Sequence, residues 1–236
     1  MPALFLETQL KKYLTTATIA VALSLSLVGC GSDNKSETKT STSTSTSTST
    51  VTSTTVATST TPGAQAHKTL ADYFTENHIT QTPVRRGDPD SPTIGLPMPP
   101  GWQKADESGA SYGTIIPAQP ANPADPPTIS ALVAKLSGDV DQAKLLKYAP
   151  GELQNLPGYQ GTGNGTASTL AGFQAWQISG TYEKNGKKRA VAQKTVVIPG
   201  QGAIFVLQLN ADGLESDQGP LMEAMNIVDE QTTITI

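Results

Sequence analysis

The sequence predicts an α+β fold, a mainly antiparallel sheet flanked by helices, and three observations carry that prediction. Asn185-Gly186 separates two alternating runs, 173–182 and 189–198. Asn-Gly is the preferred dipeptide of a two-residue hairpin, because both positions of that turn need positive φ. A turn at Pro199-Gly200-Gln201-Gly202 then leads into a third alternating run, 203–210. Beyond it, Leu221, Met222, Met225 and Val228 fall on one stripe of a helix read over 214–228, and that spacing suits core packing against the sheet. Strands joined in sequence by tight turns pair antiparallel, and the helices before and after them predict layers on the sheet, an α+β or α/β/α arrangement.

The remaining elements follow in chain order. Residues 69–77 predict a short helix, with Thr69 or an adjacent residue as N-cap and Leu70, Tyr73 and Phe74 on one face. Residues 82–100 are rich in proline and turn signals, so they read as irregular apart from a short strand at 93–96. Pro99-Pro100-Gly101 turns Trp102 back toward the core, and 112–116 reads as a strand. A proline-rich turn at 122–127 precedes a longer strand at 128–136, whose faces carry Ile129, Ala131, Val133 and Leu132, Ala134, Leu136. At 139–156 the period becomes helical: Asp139 or Asp141 caps a helix bearing Leu145, Leu146 and Tyr148, and Pro150 starts a second helical turn with Glu152 and Leu153. Gly161, Gly163 and Gly165 mark an edge strand or loop; a dinucleotide fingerprint would need a strand before them and a helix after.

The N-terminal third is of a different kind. Lys11 and Lys12 precede an apolar run at 19–28, which ends in Leu27-Val28-Gly29-Cys30. A basic start, a short apolar stretch and a small residue before cysteine form a lipoprotein signal, so residues 1–29 read as a signal peptide and Cys30 as the lipid attachment site. Acyl chains such as palmitate on that cysteine anchor the chain to the outer face of a membrane; two or more are needed for stable anchoring. Residues 30–67 then form a Ser/Thr-rich tether, strictly alternating over 41–50. It has no large apolar side chains to offset the entropy of ordering, so it predicts a flexible coil with a reach on the order of 30 Å. Residues 68–236 are left as one globular domain, long enough to bury a core.

Composition narrows the function. The chain has 16 Lys and Arg against 20 Asp and Glu; cleavage before Cys30 leaves 14 against 19, a net charge of −5, with no basic footprint for nucleic acid. The single cysteine rules out an intramolecular disulfide. Only two histidines occur, His67 at the tether boundary and His78 at the end of the first helix, without the spacing of a metal pair. No metal or cofactor is expected, and no Gly-x-Ser-x-Gly nucleophile elbow is read. Asp106 with Glu107, and Asp229 with Glu230, have two readings, a glycosidase dyad or solvated surface, and the second is favoured because adjacent residues face apart. Lys184, Lys187, Lys188 and Arg189 form a basic hairpin tip, read either as a solubilising turn or as a contact for lipid head groups or an acidic partner. Polar amides among aromatics on a sheet face suggest a ligand cleft, with Trp102, Tyr112, Gln177, Gln208 and Asn210 as candidate binding residues. An ordinary solvent-facing sheet is the other reading of the same alternation.

Several segments carry a family resemblance. Asp72-Tyr73, Asn77-His78-Ile79, Thr82-Pro83-Val84, Gly87-Asp88-Pro89 and Ser91-Pro92-Thr93-Ile94, with Ala149-Pro150-Gly151-Glu152-Leu153 and Asn155-Leu156-Pro157-Gly158, resemble the LpqN/LpqT family of mycobacterial lipoproteins. So do the runs at 192–199, 206–211 and 229–235. The resemblance implies a Mog1/PsbP-like α/β/α sandwich, a cell-envelope location, no enzymatic activity and no family catalytic motif. It implies a non-catalytic adaptor or ligand-binding accessory to MmpL-type transporters that export mycolate glycolipids. Alternatives are a secreted virulence factor that binds a host protein, or an enzyme acting on envelope glycolipids.

Overall fold

The structure is a computed structural model and describes residues 66–105, 111–161, 163–200 and 202–236. The signal peptide, Cys30 and nearly all of the expected tether lie outside the described residues, as do Asp106 and Glu107.

Helix α1 (Leu70–Glu76) begins as read, with a reciprocal capping box: the Asp72 N–H donates to the Thr69 hydroxyl at 3.1 Å and the Thr69 N–H donates to the Asp72 carboxylate at 2.8 Å. The sheet is built from β1 (Thr80–Val84), β3 (Trp102–Lys104), β4 (Gly113–Pro117), β5 (Thr128–Ser137), β6 (Gln160–Gly161), β7 (Thr166–Leu170), β8 (Phe173–Lys184), β9 (Lys187–Gly200) and β10 (Ala203–Leu214). Its spine runs β3-β4-β5-β10-β9-β8-β6; β1 also pairs with β5, β7 also pairs with β8, and every pairing is antiparallel. Between β5 and β6 lie α2 (Gln142–Tyr148), capped by Asp141, and the single-turn α3 (Gly151–Gln154). A separate two-stranded ribbon joins β2 (Thr93–Gly95) to β11 (Thr233–Thr235), after α4 (Gln218–Gln231).

Both sheet faces are covered. Ile129, Ala131, Val133, Val196, Ile198, Phe205, Leu207 and Leu209 meet Leu221, Met222, Met225 and Val228 of α4. On the opposite face Ala134, Leu136, Val197 and Val206 meet Leu70, Tyr73, Phe74, Leu145 and Ala149 of α1 and α2. The hairpin turn is as read, with Asn185 at φ 53° and Gly186 at φ 71°.

The structure corrects the sequence reading in several places; neither β3 nor β7 is among the strands that the sequence predicts. Residues 80–84 form a strand rather than irregular chain; Pro83 is tolerated because β1 is an edge strand, where a missing N–H costs no ladder bond. The helix read from 214 begins at Gln218, because Asp212, Gly213 and Leu214 extend β10 against Val191, Ala190 and Arg189. The C-terminal strand β11 was not legible: three residues show no period, and Gly95 of its partner lets Thr233 approach so closely that a Cβ there would lie 2.3 Å from the Thr233 hydroxyl.

Candidate functional site: a polar floor and a groove on either side of α3

On the α1–α2 face, the apolar floor of the sheet gives way to polar side chains. The register places Thr195 opposite Gln208, Gln193 opposite Asn210, Asn210 opposite Ser130 and Ser130 opposite Thr114, so these groups share one face across four strands. Gln193 Nε2 donates to Asn210 Oδ1 at 3.0 Å, and the Thr114 and Ser130 hydroxyls bond at 3.1 Å. Gln193 and Thr195 are only 2% and 0% exposed, Gln208 and Asn210 9% each. Yet Gln193 Oε1, Thr195 Oγ1 and Gln208 Nε2 have no hydrogen-bond partner. Burying such groups unpaired costs stability, about 1–3 kcal/mol each.

Helix α3 sits above this floor. Pro150 supplies a φ suited to helix entry, and Leu153, fully buried, anchors the turn on Ile178 beside Tyr159. Glu152 points its carboxyl toward Gln208 and Gln193; burial pushes its pKa above the ordinary carboxylate range, those two amides oppose the shift, and Asp72 adds to it. The helix is clasped at both ends. A Cβ on Gly151 would lie 2.0 Å from the Lys68 carbonyl oxygen, and Asn155 both donates to His67 O and accepts from His67 N at 2.7 Å.

On the other side of α3 runs an open groove of about 810 Å³. Leu146, Tyr148, Pro150, Gly151 and Gln154 form one wall, and Ala167, Ser168, Gln174 and Trp176 the other; His67, Lys68 and Lys147 stand along it. Trp176 is fixed by its indole N–H, which donates to Asn164 O at 2.7 Å. Lys68 and Lys147 lie 4.8 and 5.4 Å from the Tyr148 ring centre, within cation–π range. The volume falls within the roughly 300–1,000 Å³ typical of small-molecule sites.

The family sequence profile described as "Probable lipoprotein LpqN" matches residues 66–235. The chain belongs to that family. Lipoprotein LpqN of Mycobacterium tuberculosis (strain ATCC 25618 / H37Rv) is 62% identical over 168 residues, 71% of this chain and 74% of the relative. A more distant relative, the lipoprotein LpqT of Mycobacterium leprae (strain TN), is 27% identical over 130 residues, 55% of this chain and 57% of its own length. The crystal structure of LpqN, described as involved in cell envelope biogenesis of Mycobacterium tuberculosis, matches with a TM-score of 0.71 at 60% identity, covering 73% of this chain and 100% of that one.

Within this LpqN-family fold the five candidate binding residues do not converge. Gln208 and Asn210 lie in the polar floor, whereas Gln177, opposite Lys194, is on the α4 face. Tyr112 is 3% exposed and its hydroxyl accepts from the Ile94 N–H at 3.0 Å, a structural role in holding β2. Trp102 is half-buried against the α4-side core. Sequence reasoning missed Glu152, Gln193, Thr195 and Trp176. A usable signal existed for two of them: Gln193 and Thr195 interrupt 190–198, a run otherwise apolar on both faces apart from Lys194, and polar residues inside a doubly covered strand must be buried.

The other chemistry-bearing residues resolve as follows. His78, at φ 52°, follows the C-cap of α1. The basic hairpin tip is largely neutralised: Arg189 bonds Asp212 at 2.7 Å and Asp125 at 2.9 and 3.0 Å, Lys187 faces Asp125 at 3.6 Å and Lys188 meets Glu215 at 2.7 Å. Lys194, buried beneath α4, pairs with Asp229. The Gly-x-Ser-x-Gly spacing does occur, which corrects the sequence reading: residues 109–113 spell Gly-Ala-Ser-Tyr-Gly, although Ser111 leads into strand β4 and not into the helix that a nucleophile elbow requires. Among the described residues no group of three or more His, Cys, Asp or Glu is placed to hold a metal, and no helix is long and apolar enough to cross a membrane.

Proposed function

We propose that this protein is a lipid-anchored, non-catalytic accessory of the mycobacterial cell envelope, whose groove beside Trp176 takes an amphiphilic glycolipid handled by an MmpL-type exporter. The groove carries the reading. Tyr148 and Trp176 offer flat faces on which sugar rings stack, Gln154, Asn164 and Gln174 offer amides for hydroxyls, and Leu146 and Pro150 offer an apolar wall for a chain. Anchoring through Cys30, a Mog1/PsbP-like classification of the fold, and docking to the transporter belong to the same reading. The envelope role of Mycobacterium tuberculosis LpqN, a protein 62% identical over the matched residues, supports it.

The test is titration of the whole chain with trehalose mono- and dimycolate in mixed micelles, by calorimetry, with chromatography for products. Saturable binding without product, weakened at least tenfold in Trp176→Ala, is expected. Binding indifferent to Trp176→Ala and to Lys147→Glu overturns the groove as the site, and product formation overturns the non-catalytic assignment.

A further inference from the structure

The geometry points to an anion site within the groove: its occupant carries a negatively charged head, a phosphate or sulfate ester, on an apolar chain. This inference rests on the groove reading above and narrows its substrate class. It begins with an asymmetry of charge. Residues 30–236 hold 14 Lys and Arg against 19 Asp and Glu, yet the described residues that line the groove include His67, Lys68 and Lys147 and no Asp or Glu. A concave wall of one sign with apolar sides concentrates ions of the other sign.

The bases are built into that wall. Asn155 donates to His67 O and accepts from His67 N, both at 2.7 Å. Gly151 leaves no room for a Cβ beside the Lys68 carbonyl, so the same segment lies directly on α3. The backbone that carries His67 and Lys68 is therefore pinned to the helix that walls the groove. Lys147 stands in the last turn of α2. Two ammonium groups gather around one ring, Lys68 at 4.8 Å and Lys147 at 5.4 Å from the centre of Tyr148. Like charges brought to one ring repel, and a bound anion relieves that repulsion. Lys68 is engaged by Glu76, which lies outside the groove lining, whereas Lys147 takes part in none of the ion pairs among the described residues.

Charge and apolar wall share one groove, so the ligand must offer both. A free phosphate meets Lys147 but leaves Trp176 and Leu146 wet; a neutral amphiphile covers those walls but leaves Lys147 without a counter-charge.

Three probes separate these demands. The whole chain is titrated by calorimetry, below micelle formation, with dodecyl phosphate, with dodecyl maltoside and with inorganic phosphate. Dodecyl phosphate is expected to bind about tenfold more tightly than dodecyl maltoside, the worth of one charge-assisted hydrogen bond. That margin should close at high salt, where the screening length falls from about 10 Å at about 0.1 M to about 3 Å at about 1 M. It should also close in Lys147→Gln and persist in Lys104→Gln, an exposed lysine of β3 outside the groove. Equal affinities for the two amphiphiles, or a margin that survives Lys147→Gln, overturns the anion site. Inorganic phosphate binding as tightly as dodecyl phosphate overturns the assignment to a lipid head. Trp176→Ala tells these failures from failure of the groove itself: two amphiphiles that bind equally and both depend on Trp176 remove the anion site alone, whereas affinities indifferent to Trp176→Ala remove the groove as well.

Discussion

Thr195 on β9 stands directly across the sheet from Gln208 on β10, and each buries a polar atom that no hydrogen bond satisfies. Two unpaired groups side by side in a covered sheet oppose stability. Thr195→Val keeps the branched shape and removes the orphaned hydroxyl. It is expected to stabilise the fold by about 1 kcal/mol, the lower end of the cost of an unsatisfied buried group. Urea denaturation checks it: the midpoint should rise with the slope unchanged, and a fall in midpoint would show that the hydroxyl is satisfied after all.

Arg189 is the keystone of a second buried network. It is 6% exposed, bonds Asp212 through Nε and grips both Asp125 oxygens through one guanidinium nitrogen, which ties the 118–127 loop to the sheet. Arg189→Ala leaves Asp212 buried without its cation and should cost about 3–5 kcal/mol, the penalty of breaking one side of a buried pair. Arg189→Lys should recover only part of that loss, because an ammonium cannot span both carboxylates as the planar fork does. Thermal or chemical denaturation of the two variants orders them; equal stability of Arg189→Lys and the parent chain would dismiss the argument.

The contrast between these two clusters shows what the sequence makes legible. The hairpin at Asn185-Gly186, the Thr69 cap, the Asp141 cap and the two-faced strand β5 follow from local rules and appear where expected. The three candidate amides, Gln177, Gln208 and Asn210, followed a rule about alternation alone, and alternation assigns a residue to one face of its own strand without saying which faces share a side of the sheet. Gln177 and Gln208 therefore read alike, but the β8–β9–β10 register puts them on opposite sides. Arg189 looked like one more charge on a basic tip, because Asp125, 64 positions away, leaves no local trace. Glu152 was placed on its helical turn correctly, but its burial depends on β9 and β10 arriving beneath it, which local pattern does not encode.

Thr69 and Asp72 give a prediction in pH. The hydrogen bonds from the Thr69 backbone and side chain hold the Asp72 carboxyl below its ordinary value of 3.8, with burial opposing. A depressed acid contributes stability that is present above 3.8 and fades as pH falls through the lower folded value. Thr69→Ala should cost about 1 kcal/mol at neutral pH, the usual worth of such a cap. That difference from the parent should shrink below 3.8, where Asp72 gains its proton in both chains. A difference independent of pH would mean that the carboxylate takes no part in the cap.

Glu152 gives the opposite sign, and stability alone can read it. An acid whose folded pKa is raised makes the native state bind more protons than the unfolded chain between the two values, so stability falls as pH climbs from the ordinary 4.5 through the folded midpoint. Glu152→Gln removes the titration but keeps the shape, so it should match the parent below 4.5 and exceed it at neutral pH. The expected gap at neutral pH is about 1 kcal/mol, of the order of one misplaced buried polar group. Denaturation midpoints at acid and neutral pH, taken on both chains, decide the matter. Curves that run parallel across that range would show that Glu152 titrates no differently folded than unfolded.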